Sequence, residues 1–495
     1  MPEWMAVYDI NDMDMLTNDV YTTLRKAPVQ SQRERDTMKQ IWVDRRFYDK
    51  VEGDEWTAED FKTLEEVHNE GEMNIMVAVL VKTKEGQEEE LAKWYREEHV
   101  SMLMKVPGWR RTRRFVTSKL DVADGRPVEF LALHEYAPQN GLGGDAFKAA
   151  ISTEWTKKIY ETVMESTRRR VYDLYYTFGP APRDLATLSS PDAIPAESTD
   201  GLTKAHPGSS PSIESFITTP DGIRLPYRLE GSQDPHAPLL ILTNSVLVDY
   251  AIWDDFVTHF ISATQNKYRI LRYNARGRSA LPSTSSSSVT VDLLAKDIIT
   301  IMDALRAQTA SVVGVSLGGA TALCAALTYP SRISAFVACD TNSFAPPSNP
   351  KAWDERIAIA EKEGAVSPLS NEPIVGEELA ELTVRRWFVK ESYEDALLKS
   401  KIEAVKHAVA TNSLSGFKGG VKALYAYDFR DRMGAFEGKG AFLAGGGDGV
   451  LPETMKGMAA ALGKGVELKV VQQAGHLPMV EKPKEVADFV AGFLG

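Results

Sequence analysis

Cysteine is nearly missing from this chain: of 495 residues only Cys324 and Cys339 are thiols, and both stand in apolar runs. A disulfide framework is thereby excluded, buried free thiols are expected, and the usage fits a reducing compartment. Long apolar runs are missing too. No stretch approaches the roughly 18 residues that would span a bilayer, and Met1-Pro2-Glu3-Trp4 has neither the basic segment nor the apolar core of a signal peptide. A cytoplasmic protein with no membrane partner is expected. Positive charge is in deficit, since 57 Lys and Arg stand against 69 Asp and Glu, a formal net charge of −12. Such a surface is not attracted to nucleic acid or anionic lipid. The histidines are scattered and the two cysteines lack ligand spacing, so no metal site is expected. No Gly-x-Gly-x-x-Gly opens a helix after a strand, and no cofactor is expected.

What is present is globular. A hydrophobic content of 43% with 25% charged residues describes a soluble core-forming chain, and its length predicts two or three domains. The first third repeats a β-α-β pattern with variations. Trp4-Met5-Ala6-Val7-Tyr8-Asp9-Ile10 and Ile41 to Tyr48 read as strands, with a helical stretch ending near Gln40 between them and a helix expected from Thr57 to Val67. Strand Ile75 to Val81, helix Glu88 to Met104 and strand Trp109 to Val116 form a second copy, which repeats the Arg-Arg-Phe of Arg45-Arg46-Phe47 at Arg113-Arg114-Phe115. A third runs through strand Val128 to Tyr136, helix Asp145 to Glu165 and strand Val171 to Phe178. Two such units make a ferredoxin-like α+β sandwich. A third is left to complete its sheet here or in another copy of the chain, because an open edge strand is a liability. A homodimer through this region is therefore an expected partner.

From Pro180 to Ser212 six prolines are interleaved with Ser, Ala and Asp, which reads as a linker. The domains are expected at 1–179, 180–212 and 213–495. In the last of these, strands and helices alternate as in a parallel sheet wrapped by helices, with a helical insertion at about 345–435 over the C-terminal edge of the sheet. Its centre is Val312-Val313-Gly314-Val315-Ser316-Leu317-Gly318-Gly319, an apolar strand that feeds a Gly-x-Ser-x-Gly turn and then an Ala/Leu-rich helix. Small residues around Ser316 let the backbone turn sharply enough to hold a hydroxyl out at the end of a strand.

A serine hydroxyl needs a base, and the base needs a group to orient it. His476, in Gln473-Ala474-Gly475-His476-Leu477-Pro478, follows the last expected strand, and Asp448, in Gly446-Gly447-Asp448-Gly449, follows the one before. The catalytic set is thus Ser316, Asp448 and His476, with Asp340 as the alternative acid. The oxyanion of a tetrahedral intermediate needs two fixed N–H donors; position assigns these to Leu317 and Val246.

Two resemblances follow from these motifs. Trp94-Tyr95-Arg96-Glu97-Glu98-His99, with Val106-Pro107-Gly108-Trp109, resembles the dimeric α+β barrel superfamily and in particular its EthD-like domains, over about residues 1 to 178. That resemblance admits His99 as an acid-base residue. The strand-loop-helix at Thr243-Asn244-Ser245-Val246-Leu247, together with Arg386-Trp387-Phe388 and Asp428-Phe429-Arg430-Asp431-Arg432, resembles the α/β-hydrolase superfamily and within it the 3-oxoadipate enol-lactonase group. It implies hydrolysis of a small-molecule ester or lactone through an acyl-enzyme on Ser316, in secondary or aromatic metabolism. Leu247, Val248 and Asn274 depart from that group and suggest a bulkier, more apolar substrate, with Trp353, Trp387 and Phe388 as candidate pocket walls. A non-hydrolytic cyclisation or C–C cleavage on the same scaffold, and chemistry at His99, are the alternatives.

Overall fold

Apolar alternation and turn residues divide the chain into two sheets. In the computed structural model the described residues are 2–10, 12–27, 30, 32–59, 61, 74–175, 179–189, 191, 193–198, 200–281, 289–463 and 465–495. They fall into two compact units, Met1–Thr177 and Phe178–Gly495.

The first unit has five strands, β1 (Tyr48–Thr57), β2 (Ile75–Thr83), β3 (Trp109–Thr117), β4 (Phe130–Tyr136) and β5 (Met164–Asp173). They pair antiparallel in the order β1-β3-β4-β2-β5. Alternate residues of the sheet, among them Val77, Val81, Ala132 and Tyr136, pack against Leu91, Trp94, Leu103, Ile159 and Val163 from the helical segments over 88–103 and 154–163. Beside that core Asp54, fully buried, accepts from Arg96 Nε and Arg114 Nη1, both at 2.6 Å. A carboxylate is stable there because two guanidiniums meet it.

Several expectations for this unit need correction. Residues 4–10 and 41–47 have strand patterning but form no strand. An extended segment becomes a strand only when its N–H and C=O groups find a neighbour, and here Trp4 and Trp42 remain 68% and 80% exposed. The helix expected to run to Glu165 ends at Val163, and β5 begins at Met164 rather than Val171. The polar run Arg168-Arg169-Arg170 pairs with Leu80, Val79 and Ala78 of β2, so ladder hydrogen bonds override the helix propensity of arginine. Of the helix expected over 57–67, Thr57 instead ends β1, and 60 and 62–67 lie outside the described residues.

The second unit has a ten-stranded sheet: β6 (Ala196–Glu197), β7 (Lys204–His206), β8 (Ser212–Thr218), β9 (Arg224–Gly231), β10 (Leu239–Thr243), β11 (Arg269–Tyr273), β12 (Ala310–Val315), β13 (Ile333–Cys339), β14 (Lys439–Gly445) and β15 (Glu467–Val471). Their order is β15-β14-β13-β12-β10-β11-β9-β8-β7-β6. The six strands from β10 to β15 are parallel, and antiparallel β9 to β6 extend one edge. Every residue of β10, β11 and β12 is buried, as expected of strands covered on both faces. The Pro-rich stretch is therefore no free linker. It supplies β6 and β7 to this sheet and buries Leu185 and Leu188 in the same core. Between β13 and β14 the chain leaves the sheet for five α-helices, Asn349–Glu363, Glu377–Trp387, Ala396–Ala410, Leu414–Gly420 and Arg430–Met433.

One ion network, buried at Arg276 and Asp297 and exposed at Asp221, ties the turn before β9 to the loop after β11 and to the helix Val291–Ala304. Arg276 donates from Nε and Nη2 to Asp297 at 2.6 and 2.8 Å, and from Nη1 and Nη2 to Asp221 at 2.5 and 2.7 Å. Burial pushes the Asp297 carboxyl up to about 6 despite that partner, while the guanidinium holds Asp221 down at about 2. Arg276→Ala strands a buried carboxylate, and a loss of about 3–5 kcal/mol is expected. With Asp297 raised further and Asp221 released, the deficit is largest at neutral pH; the Asp297 part shrinks as pH falls towards about 4 and the Asp221 part between about pH 4 and 2. Thermal unfolding of both chains across pH measures it. A deficit that grows on acidification contradicts this assignment.

Candidate active site

The turn after β12 is built by what its glycines lack. A Cβ on Gly318 would lie 2.6 Å from the Asn244 carbonyl oxygen and closer still to that of Thr243, and one on Gly314 would strike the Gly318 carbonyl. With no side chains there, the helix Leu317–Thr328 starts directly above the sheet, and Ser316 takes φ 59° and ψ −117°. That conformation is strained for any residue with a Cβ. It persists because both ends of the residue are held: the Ser316 N–H donates to Cys339 O at 2.8 Å, and its carbonyl accepts from Thr341 Oγ1 at 2.7 Å. Among the described residues the Ser316 hydroxyl has no hydrogen-bond partner.

The loop after β10 lies beside this turn. Its shape is fixed by Asn244, whose amide donates to Tyr273 O and accepts from Trp253 Nε1, both at 2.9 Å, and by Leu247 at φ 71°. Among the described residues neither the Val246 N–H nor the Leu317 N–H donates to a protein acceptor. Leu247 and Val248 are buried in the apolar core, so their bulk supports the loop.

Two further loops meet at the same edge. The Gly446 N–H donates to Val471 O and the Gly447 N–H to Ala474 O, each at 2.8 Å, which knits the loop after β14 to the loop after β15. Their side chains then join, with His476 Nδ1 2.6 Å from Asp448 Oδ2. An ionised carboxylate accepts only, so Nδ1 carries the proton in the neutral ring and Nε2 is left as a base. The His476 N–H donates to Trp387 O at 2.7 Å, and the Trp387 ring stacks on the imidazole with centroids 5.5 Å apart. Of the other candidate walls, Phe388 is buried, and Trp353 lies edge-on to Phe417 with the Arg356 guanidinium 4.7 Å over its ring.

Asp340 does not touch the imidazole. It is buried after β13, and its Oδ1 accepts from the Gly445 N–H at 2.8 Å. Two supporting residues escaped the sequence reading. One is Thr341. The other is Glu481, buried and accepting from Gly475 N–H at 2.5 Å, Ser392 Oγ at 2.6 Å and Val389 N–H at 3.1 Å. It locks the histidine loop to the segment between the second and third helices of the insertion, and burial pushes its carboxyl up. A lone acid after apolar Pro478-Met479-Val480 was the available signal.

In the first unit His99 is 8% exposed and stacks on Trp94 at 4.0 Å. Burial lowers it to about 4, against a hydrogen bond to the Ala150 carbonyl, so it is neutral at pH 7. Among the described residues no cluster of three His, Cys, Asp or Glu could hold a metal ion, and no helix is long and apolar enough to cross a membrane.

Residues 250–483 match the family model described as alpha/beta hydrolase fold. The chain is 26% identical over 268 residues to 3-oxoadipate enol-lactonase 2 of Acinetobacter baylyi, covering 54% of this chain and 91% of that protein. It is 24% identical over 272 residues to a putative carbamate hydrolase, RutD, of Variovorax paradoxus, covering 54% and 96%. A solved hydrolase from Pseudomonas aeruginosa PA01 is 30% identical, with a TM-score of 0.49, covering 57% of this chain and 98% of that one.

The strain at residue 316 has a measurable consequence. Ser316→Gly and Ser316→Ala both remove the hydroxyl, but only glycine relaxes the backbone. The glycine variant is expected to be about 1 kcal/mol the more stable in thermal unfolding. Equal or reversed melting temperatures contradict the strained turn.

Proposed function

We infer that this chain, whose C-terminal unit is an α/β-hydrolase, cleaves an ester or lactone through an acyl-enzyme formed on Ser316, without a cofactor. The observation that carries this reading is the 2.6 Å contact of His476 with Asp448 at the sheet edge where the strained turn presents Ser316. The enol-lactonase and carbamate hydrolase names of its relatives agree with attack on a carbonyl that bears an oxygen or nitrogen leaving group.

As the Ser316 oxygen attacks the carbonyl, its proton passes to His476 Nε2, and the Asp448 carboxylate stabilises the imidazolium that forms. The oxyanion is received by the N–H groups of Leu317 and Val246, which have no other acceptor to give up. Collapse expels the alkoxide, protonated by His476; in a lactone it stays tethered to the acyl chain. Water, deprotonated by the same imidazole, then releases Ser316. Hydrogen bonds of this kind are often loose without substrate and tighten in the complex, which accommodates the unpartnered Ser316 hydroxyl. Trp387, fixed against the imidazole, supports an apolar wall beside the reacting carbonyl, with Trp353 and Phe388 as further candidates.

For the first unit the reading is a ferredoxin-like, EthD-like domain. The order β5-β2-β4-β3 with helices packed on one face supports it, with β1 as an added edge strand. Exposed Trp4 and Trp42 support a homodimer contact there, and the two buried free thiols support a cytoplasmic setting.

A fluorophosphonate probe is expected to label the wild type on Ser316 and to leave Ser316→Ala unlabelled. Asp448→Asn, which fixes the wrong imidazole tautomer, should slow labelling by about 10⁴-fold. Labelling that persists in Ser316→Ala, located by peptide mass spectrometry, removes Ser316 as the nucleophile.

A further inference from the structure

The mechanism leaves one buried titratable group at the site unused. Asp340 is 1% exposed and stands at φ 43°, a left-handed backbone that Asp and Asn adopt more readily than other side chains. Its neighbours in sequence hold the nucleophile: the Cys339 carbonyl takes the Ser316 N–H, and the Thr341 hydroxyl takes the Ser316 carbonyl. Its own N–H donates to Leu443 O at 3.0 Å, and its Oδ1 accepts from Gly445, the residue whose carbonyl closes the turn onto the Asp448 N–H at 3.0 Å. Cys339-Asp340-Thr341 thus touches both the serine turn and the acid loop.

The second oxygen, Oδ2, is sealed from solvent and meets no donor. The side chain of Asp448, another acceptor when ionised, lies within hydrogen-bonding reach of the Asp340 carboxyl. An orphaned acceptor beside an acceptor is costly, whereas a proton between them converts the contact into a charge-assisted hydrogen bond.

We propose that Asp340 is a positioning residue of this site: its Oδ2–H donates to the Asp448 carboxylate and holds that carboxylate against His476. This rests on the acyl-enzyme reading of the same residues. The titratable groups that face Asp340 are Asp448, Glu481 and the neutral, buried Cys339 thiol, and no cation is among them. Burial and the Asp448 charge push the Asp340 carboxyl well above the ordinary range, so the proton stays at neutral pH. Asp448, partly exposed and paired with the imidazole, takes the negative charge. The donated hydrogen bond disperses that charge. Its loss makes Asp448 a stronger partner for the imidazolium.

The test is the rate of fluorophosphonate labelling of Ser316 against pH in the full-length wild type, Asp340→Gly and Asp340→Asn. Glycine and asparagine both suit the backbone at 340, and only asparagine keeps a donor. Asp340→Gly is expected to label about 10- to 100-fold more slowly, with the acidic limb of its profile moved to higher pH. Asp340→Asn should recover most of the rate and the original limb. An infrared difference spectrum of wild type minus folded Asp340→Asn at pH 7 should show one protonated-carboxyl band. A glycine variant that matches the wild type, an asparagine variant as slow as glycine, or absence of the band overturns the proposal while labelled wild type leaves the acyl-enzyme reading standing. A wild type that is not labelled at all overturns both.

Discussion

The chemistry proposed for this chain depends on one hydrogen bond, from His476 Nδ1 to Asp448 Oδ2 at 2.6 Å. It joins residues 28 apart in sequence, and much of the second unit serves to bring their loops together. Parallel strands β14 and β15 bring their C-terminal ends side by side, Gly446 and Gly447 bond the two loops through their backbones, and Glu481 fastens the histidine loop from behind. A short charge-assisted hydrogen bond fixes the ring orientation, and a fixed ring is what makes Nε2 a directed base.

The serine turn is arranged on the opposite principle. Its conformation is intrinsically unfavourable, and the surrounding structure over-determines it through Cys339, Thr341 and the glycines that let the following helix approach β10. Stored strain and a held carboxylate lie at the ends of adjacent strands β12, β13 and β14. The buried contacts of Asp340 span the two.

How much of this the sequence revealed depends on how local each constraint is. The positions of Ser316, Asp448 and His476 just beyond the ends of parallel strands were legible because glycines mark the turns that carry them. The parallel strands were legible because burial on both faces demands unbroken apolar runs, as in Val312-Val313 or Leu239-Leu240-Ile241-Leu242. Thr341 and Glu481 were not, since each has partners in distant segments: Ser316 lies 25 positions from Thr341, and Ser392 and Val389 lie 89 and 92 positions from Glu481. Residues 4–10 and 41–47 carry strand patterning without a strand beside them, and β5 is a strand despite its arginines because β2 lies next to it. The prolines of 180–212 read as a linker, while Leu185 and Leu188, too sparse to define a periodic face, dock that stretch on the core.

The central claim is that the oxygen of Ser316, the imidazole of His476 and the N–H groups of Leu317 and Val246 converge on one carbonyl. A crystal structure of the fluorophosphonate adduct tests this most directly. The account predicts phosphorus bonded to Ser316 Oγ, the phosphonyl oxygen about 2.7–3.1 Å from both N–H groups, and His476 within hydrogen-bond reach of the adduct with Asp448 still bound. An adduct whose oxygen points away from both N–H groups, or an imidazole turned out of the site, contradicts it.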